Sequence, residues 1–396
     1  MEMTKILVQI KKSSIELAQV GNDKKNKFLQ ILGTILTRNK KKILSANQKD
    51  IEEALKKNIS YTFIERLKLD KKGIDRILES LRTIQKIKDP VGRILEERRL
   101  TNSLLLRKLT VPIGVVLVIY ESRPEVTIDV SVLCIKSGNA AILKGGLEAS
   151  NTNRVLHGCV QEALEKVGLA RETVSFIQAR SDIGRLVKQN KYIDLVIARG
   201  GYKMVRKIQN RSKIPVLAHS AGGARIYVDQ SADLKKAENI IINAKISKPS
   251  ACNSLDTILV HKDIAQKFLP PLIKKLKLLN VEVRRNNWNK EFLDLIVSIK
   301  IVQDVNEAIK FIQKYSKLHT EGIVAKDKKV IKKFIASIDT AALFVNCSTR
   351  FHDGGVFGMG AEMGISTGKL HARGPVGLKE LTSYKWVVYG YGQIRN

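Results

Sequence analysis

Val115-Val116-Leu117-Val118-Ile119-Tyr120 decides the fold. Apolar, mostly β-branched residues run here without a polar break, as in a parallel strand buried on both faces. A helical pattern follows at 126–135, and then a second strand, Ala140-Ala141-Ile142-Leu143-Lys144. A helix at 152–167 and strands at 175–177 and 194–198, with a helix candidate between them, continue the alternation. Strands alternating with helices imply a doubly wound α/β domain.

A second alternation starts at Arg225-Ile226-Tyr227-Val228. It runs through a helix at 234–244, a strand at 257–260, a helix at 264–278 and strands at 300–302, 322–324 and 342–345. Upstream of the first alternation, Ile15, Ala18, Phe28, Ile31, Leu32 and Ile35 recur at helical spacing. The pattern resumes at 50–56 and 74–84, and Asp89-Pro90 ends it, since the residue before proline disfavours the helical region. Leu104-Leu105-Leu106-Arg107-Lys108-Leu109 reads as a strand without an obvious partner. The tail strand Lys385-Trp386-Val387-Val388-Tyr389-Gly390-Tyr391 has little to pack on locally, so it is expected to join a sheet elsewhere, including one in a partner subunit.

The chain has 396 residues, 44% hydrophobic and 27% charged, which is globular composition for two or more domains. The longest central apolar run is far too short to span a membrane. Lys5, Lys11 and Lys12 interrupt the N-terminal apolar residues, so no signal peptide is expected. Four cysteines without regular spacing argue against a disulfide framework and fit a reducing cytoplasm. The formal charge of +32 allows a nucleic-acid or membrane-surface reading. The basic residues are nevertheless spread along the chain, aromatic content is 5%, and no basic helix, zinc finger or aromatic–basic platform is present. A charge-driven nucleic-acid binder stays as the non-enzyme alternative.

Standard motifs fail. There is no G-x-G-x-x-G, no P-loop and no G-x-S-x-G. The six histidines lack metal-ligand spacing, so no metal is expected. Cys252 is the best nucleophile candidate, in Lys248-Pro249-Ser250-Ala251-Cys252-Asn253-Ser254 between a helix and a strand. Lys245 and Lys248 are near in sequence, and neighbouring cations lower a thiol pKa. The residues alone leave Cys252 open between nucleophile and inert thiol; Cys134, Cys159 and Cys347 read as structural. Two glycine turns follow strands and carry a cation each, Lys144-Gly145-Gly146 and Arg199-Gly200-Gly201. Each is either an ordinary turn or a place for a phosphate-bearing cofactor. Arg123, in Glu121-Ser122-Arg123-Pro124, and Arg350, in Ser348-Thr349-Arg350-Phe351, each end a strand, where a guanidinium either holds a carboxylate or phosphate or stays solvated. The glycine-rich stretch at 353–362 reads as a flexible turn or a site loop.

Val111-Pro112-Ile113-Gly114-Val115, continuing to Ile119-Tyr120-Glu121-Ser122-Arg123-Pro124-Glu125-Val126-Thr127, resembles the signature of the gamma-glutamyl phosphate reductase family, part of the aldehyde dehydrogenase superfamily. Further segments agree in order: Lys136-Ser137-Gly138-Asn139-Ala140, Pro249-Ser250-Ala251-Cys252-Asn253, His319-Thr320-Glu321-Gly322-Ile323-Val324, Asn346-Cys347-Ser348-Thr349-Arg350-Phe351, Asp353-Gly354-Gly355 and Lys369-Leu370-His371-Ala372-Arg373-Gly374-Pro375. The resemblance covers essentially the whole chain.

The resemblance implies an aldehyde-dehydrogenase-like fold with two doubly wound α/β domains and a small β oligomerisation flap. The cofactor domain is expected at 1–96 and 112–227, the catalytic domain at 228–374, and the flap at 97–111 and 375–396. It further implies L-glutamyl 5-phosphate as substrate, NADPH as reductant, L-glutamate 5-semialdehyde as product, and Cys252 as the catalytic residue. Arg123, Asn253 and Arg350 are the expected substrate contacts; Lys144, Gly200, Gly201 and Glu362 are the expected cofactor contacts. A homo-oligomer, dimer or higher, and a functional link to glutamate 5-kinase are also expected, with no specific nucleic acid and no membrane as partners. In oxidising relatives a glutamate activates water just before a Gly-Gly pair. The matching segment, Leu217-Ala218-His219-Ser220-Ala221-Gly222-Gly223, has no carboxylate, which suits a reductase over a general aldehyde dehydrogenase. Ala224-Arg225 stands where the family usually carries Cys-His, and the connection at 286–290 is short.

Overall fold

Each fully buried Val, Leu or Ile contributes about 1.5–3 kcal/mol, against about 1–2 kcal/mol to order its backbone. A strand such as 115–120 therefore needs cover on both faces, and the architecture supplies it. The computed structural model describes residues 2–59, 61–121, 123–219 and 222–395, the side chains of Glu2, Tyr61, Thr62, Arg180 and His219 excepted. The chain forms two units. One runs to Ala218 and takes back Gly358–Gly364 and the tail from Val376; the other holds His219–Phe357 and Ile365–Pro375.

The first unit opens on helices α1 (Glu2–Leu17), α2 (Asn22–Arg38), α3 (Lys40–Lys56), α4 (Tyr61–Leu67) and α5 (Lys71–Lys86). On α1 the buried face is Leu7, Ile10, Ser14 and Leu17, and Ile15, read from its spacing as a core residue, is exposed. The strands β1 (Ile94–Arg99) and β2 (Leu105–Pro112) precede the first winding: β3 (Val115–Tyr120), α6 (Val126–Lys136), β4 (Ala140–Lys144), α7 (Ser150–Lys166), β5 (Val174–Phe176), α8 (Ile183–Leu186), β6 (Leu195–Arg199), α9 (Tyr202–Arg211) and β7 (Val216–His219). Sheet order is β5-β4-β3-β6-β7, with β3 parallel to both β4 and β6. Val115, Leu117 and Ile119 pack with Leu7 and Ile10 of α1 and Val205 and Ile208 of α9. Tyr120 points to the other layer, its hydroxyl 2.7 Å from Thr127 Oγ1 on α6. The winding reverses at β3, so the crevice beyond the carboxyl ends of β3 and β6 is the topological switch point.

The second unit is wound the same way: β8 (Ala224–Val228), α10 (Leu234–Ile246), β9 (Leu255–His261), α11 (Lys262–Leu278), β10 (Glu282–Arg284), β11 (Ile296–Val302), α12 (Val305–Tyr315), β12 (Thr320–Val324), α13 (Lys328–Ser337) and β13 (Ala342–Val345). Its order is β10-β11-β9-β8-β12-β13. Side chains alternate between layers. Ile226, Val228, Ile258 and Val260 join a core with Ile241 of α10 and Phe268 and Leu272 of α11. Tyr227, Leu259 and Ile323 face Ile312 of α12 and Phe334 of α13. Helix α11 contains Pro270 and Pro271, which forgo two backbone donors, and its buried Phe268, Leu272 and Leu276 hold it to the sheet. The short 286–290 connection is seated by Trp288, whose ring meets Phe311 edge-on at 5.4 Å.

Two boundaries differ from those expected. The chain leaves the first unit at Ala218, not at 227, because β8 pairs with β9 and β12 of the second sheet. Residues 358–364, expected in the catalytic domain, join the first unit, where Ser80 Oγ of α5 donates to the Gly360 carbonyl at 3.3 Å. A Cβ at Gly360 would come 2.9 Å from Ile84, and its φ of +77° also favours glycine. The tail forms β16 (Thr382–Tyr389), and the antiparallel sheet β1-β2-β16 brings together the two segments expected to make the flap. A short hairpin of β14 (Ile365–Ser366) and β15 (Gly374–Pro375) completes the second unit. Among the described residues no helix is long and apolar enough to cross a membrane.

Candidate active site

Cys252 lies in a turn between α10 and β9, at the amino-terminal edge of the second sheet, and is half-buried. Ala251 N–H donates to the Lys248 carbonyl at 3.1 Å, and Ser254 N–H to the Ala251 carbonyl at 3.0 Å, which closes the turn. Gly223 N–H donates to the Cys252 carbonyl at 2.6 Å. A Cβ at Gly222 would stand 2.5 Å from Cys252 Cβ and 2.6 Å from its Cα, so only glycine lets the two backbones approach. Ser220 and Ala221, just upstream, lie outside the described residues.

The surroundings bear on two expectations. Lys245 was expected to lend charge to the thiol. It is fully buried, its ammonium donating to the carbonyls of Asp294 at 2.8 Å and Ile296 at 3.0 Å and lying 3.8 Å from Asp256. Burial lowers its pKa to about 8 and raises that of Asp256 to about 6, each opposed by the other's charge. This pair anchors the 292–296 segment, and Phe292 N–H adds a 3.3 Å bond to Asp256. Asn253 was expected to touch substrate, but it is buried and its carboxamide is engaged. Its amide donates to the His352 carbonyl at 2.9 Å, its oxygen accepts from the Arg350 guanidinium, and its backbone carbonyl accepts from Thr349 Oγ1 at 2.9 Å. Arg350 is half-buried and also donates to Ser247 Oγ at 3.1 Å.

Burial, the main cause in each case, pushes the Cys134 thiol far up, Cys159 to about 11 with help from Glu162, and Cys347 up. These three stay protonated near neutrality, and a thiol is a poor nucleophile.

In the first unit the other expected residues gather at the switch point. Lys144 ends β4, is buried, and donates to the Gly145 carbonyl at 2.6 Å. Gly200 and Gly201 lead into α9. Gly201 N–H donates to Glu121 Oε2 at 3.0 Å, and a Cβ at Gly200 would meet that carboxylate at 2.7 Å. Beside this lies a cavity of about 740 Å³ lined by Glu121, Tyr202, Lys203, Lys207 and Arg211 among others. The run of cations along α9 beside this cavity is suited to phosphate groups. Arg123 is half-buried after β3; Ser122 beside it lies outside the described residues.

Sequence reasoning missed Asp129, a lone acid in the apolar pattern of α6. It is half-buried, yet enclosed enough that burial, then Glu125 and Glu362, push its carboxyl up to about 7 against the pull of Arg199 and Arg123. Glu362 thus shares a mixed-charge neighbourhood with both guanidinium groups. Among the described residues no group of three or more His, Cys, Asp or Glu could hold a metal ion.

The aldehyde dehydrogenase family model matches residues 32–292. Gamma-glutamyl phosphate reductase of Carboxydothermus hydrogenoformans is 44% identical, covering 100% of this chain and 99% of its own. That of Caldanaerobacter subterraneus subsp. tengcongensis is 43% identical over 97% of each. The crystal structure of gamma-glutamyl phosphate reductase from Thermotoga maritima, 39% identical, covers 100% of both chains with a TM-score of 0.95. An acetylating aldehyde dehydrogenase from Geobacillus thermoglucosidasius, 19% identical, has the same fold with a TM-score of 0.76. On these likenesses the chain belongs to the gamma-glutamyl phosphate reductase family, within the wider aldehyde dehydrogenase family.

Proposed function

We propose that the chain reduces L-glutamyl 5-phosphate to L-glutamate 5-semialdehyde and phosphate with NADPH, in proline biosynthesis. The observation that carries this is the Cys252 turn, closed on Gly222 and Gly223, with no carboxylate in the 217–223 segment where an oxidising relative would carry its water-activating glutamate. The Cys252 thiolate attacks the acyl carbon; an S–C bond forms, the C–O bond to phosphorus breaks, and phosphate leaves with its electron pair. Backbone N–H groups about Cys252 stabilise the oxyanion. When bound, NADPH would supply the hydride that reduces the thioester. Collapse then breaks the S–C bond, releasing aldehyde and regenerating the thiolate. Arg123 and Arg350 are assigned to the anionic groups of the substrate, and Asn253 to holding Arg350. Lys144, Gly200, Gly201 and Glu362 are assigned to the cofactor. The cytoplasm is the proposed location, in keeping with four cysteines that show no regular disulfide spacing. A functional link to glutamate 5-kinase follows from the substrate, a reactive acyl phosphate that the kinase makes.

The test is NADPH oxidation with glutamyl phosphate generated in place by glutamate kinase, ATP and glutamate. Oxidation that needs every component and matches phosphate released supports the reading; none in the complete mixture overturns it. NADPH use has its own test. Reversing Lys203 and Lys207 to Glu is expected to raise KM for NADPH about tenfold, since exposed charge contacts are worth about 1 kcal/mol each or less. KM for glutamyl phosphate should not move. An unchanged KM for NADPH would mean that the cavity beside α9 does not hold the cofactor's charged groups.

A homodimer is proposed through the sheet β1-β2-β16. Tyr384, Trp386, Val388 and Tyr389 are exposed on its edge strand. Lys108 Nζ stands 3.9 Å from the Tyr384 ring centroid and Arg107 covers Tyr389 at 5.3 Å, partial cover that a partner would complete. An isologous contact uses one patch twice. Deleting the chain from Tyr384 onward should yield monomers in sedimentation, with lower solubility and activity. Full-length protein sedimenting as a monomer at micromolar concentration would rule the dimer out.

A further inference from the structure

Behind the Cys252 turn runs a buried hydrogen-bond chain that the proposed chemistry does not use. His319 and His352 are both buried, and their rings lie 5.1 Å apart. Thr320 Oγ1, at the start of β12, is 2.6 Å from His319 Nδ1 and 2.8 Å from His352 Nδ1. The rings of Phe344 and Phe357 flank His352, each with its centroid 5.9 Å away.

One proton count constrains this chain. Each Nδ1–oxygen contact contains one hydrogen, and a threonine hydroxyl has one to give. With neutral rings, Thr320 therefore donates to one imidazole and accepts from the other. One ring carries its proton on Nδ1 and the other on Nε2. Two neutral rings held on one hydroxyl in this way are opposite tautomers.

The lock reaches the nucleophile in two steps. The His352 carbonyl accepts from the Asn253 amide, and Thr349 Oγ1 donates to the Asn253 carbonyl, so the residue after Cys252 is fastened at side chain and backbone to 349–352. That segment is in turn fastened to β12, an interior strand of the sheet, through His352 and Thr320. We propose that the His319–Thr320–His352 chain positions the Cys252 turn, and that Thr320 and His352 are positioning residues for the attacking sulfur. The inference rests on Cys252 being the nucleophile, not on the identity of the substrate.

The experiment compares Thr320→Val, which keeps shape and removes the hydroxyl, with Thr320→Ser, which keeps the hydroxyl, in the full chain. In Thr320→Val, alkylation of Cys252 by iodoacetamide, located by mass spectrometry, should slow about tenfold, and kcat should fall by at least as much. Both KM values should stay put, since small misplacements of a reacting atom act on the chemical step. Thr320→Ser should recover both readouts to within about twofold of the parent, because the proton count is restored. A Thr320→Val protein that is alkylated at the parent rate, or a Thr320→Ser protein as impaired as Thr320→Val, overturns the proposal. Nitrogen NMR of the unaltered protein should show His319 and His352 in opposite tautomers; matching tautomers overturn it even if Thr320→Val does not fold. Alkylation and NMR need no substrate, so the positioning role can stand or fall apart from the glutamyl phosphate assignment.

Discussion

Replacing Cys252 by alanine is expected to abolish reduction, with a loss of at least about 10⁴-fold in kcat, as removal of a covalent nucleophile does elsewhere. The loss should be confined to chemistry. Cys252 is half-buried on a turn held by backbone bonds at Lys248, Ala251 and Gly223, none of which uses the sulfur, so urea unfolding and NADPH binding by fluorescence should match the parent. Serine should fail as well, because a hydroxyl near neutral pH is almost wholly protonated and a poor nucleophile, whereas a thiol ionises readily. Alanine at Cys134, Cys159 or Cys347 should leave turnover intact, at about 1 kcal/mol of stability for the two buried sites. Substantial turnover in Cys252→Ala would eliminate the thioester route. Inactivity accompanied by a large fall in the urea midpoint would point instead to a structural thiol.

What the sequence discloses follows from what each residue touches. The strands β3, β4 and β6 carry their own signal, because burial on both faces forces nearly uninterrupted apolar runs, whereas β8, β9 and β12 show shorter runs because they also bury Arg225, Asp256, Thr320 and Glu321. The helices α12 and α13 are implied by the alternation, and Val305, Ala308, Ile309 and Ile312 give α12 its buried stripe. By contrast β7 spans four residues and β10 three, too short to show a pattern. Helix α9 buries only Val205 and Ile208, and its other residues are cations and polar groups with Tyr202 and Met204, so its period is faint. The site divides the same way. The glycine turns and Arg123 and Arg350 are legible because a strand end is a local feature. Lys245 misleads because nearness in sequence says nothing about direction: it closes the last turn of α10 onto the 294–296 carbonyls. The Thr320–His352 contact spans 32 residues and has no local trace. Asp129 did leave one, as a single carboxylate in an otherwise apolar helix.

The largest expected effect on stability comes from the buried ion pair of Arg225. Arg225 is 2% exposed and Glu321 0%, and Arg225 Nη1 lies 3.2 Å from Glu321 Oε1. The other guanidinium nitrogen donates to the Tyr315 carbonyl, and Ser316 Oγ donates to the same Glu321 oxygen at 2.6 Å. Burial pushes the Glu321 carboxyl up to about 7, with Arg225 as the main opposing pull. Arg225→Ala leaves a buried carboxylate without its counter-charge, which should cost about 3–5 kcal/mol. The sign of the pH dependence follows. Glu321 has a folded pKa above its unfolded value, so its contribution is present below the unfolded value, near 4.5, and is lost as pH rises through the folded one. Removing Arg225 raises the folded pKa further, so the deficit in urea midpoint should be larger at pH 8 than at pH 5. Arg225→Met combined with Glu321→Leu removes both charges at similar volume and should come within about 1–2 kcal/mol of the parent, because a buried pair gains little over packed apolar groups. It should also abolish the extra pH dependence. Equal deficits for Arg225→Ala at both pH values would mean that the guanidinium acts there by packing and its bond to Tyr315, not as the counter-charge of Glu321. Thr320 lies next to Glu321 on β12 but projects from the opposite face, so any folded fraction of these variants should keep its kcat.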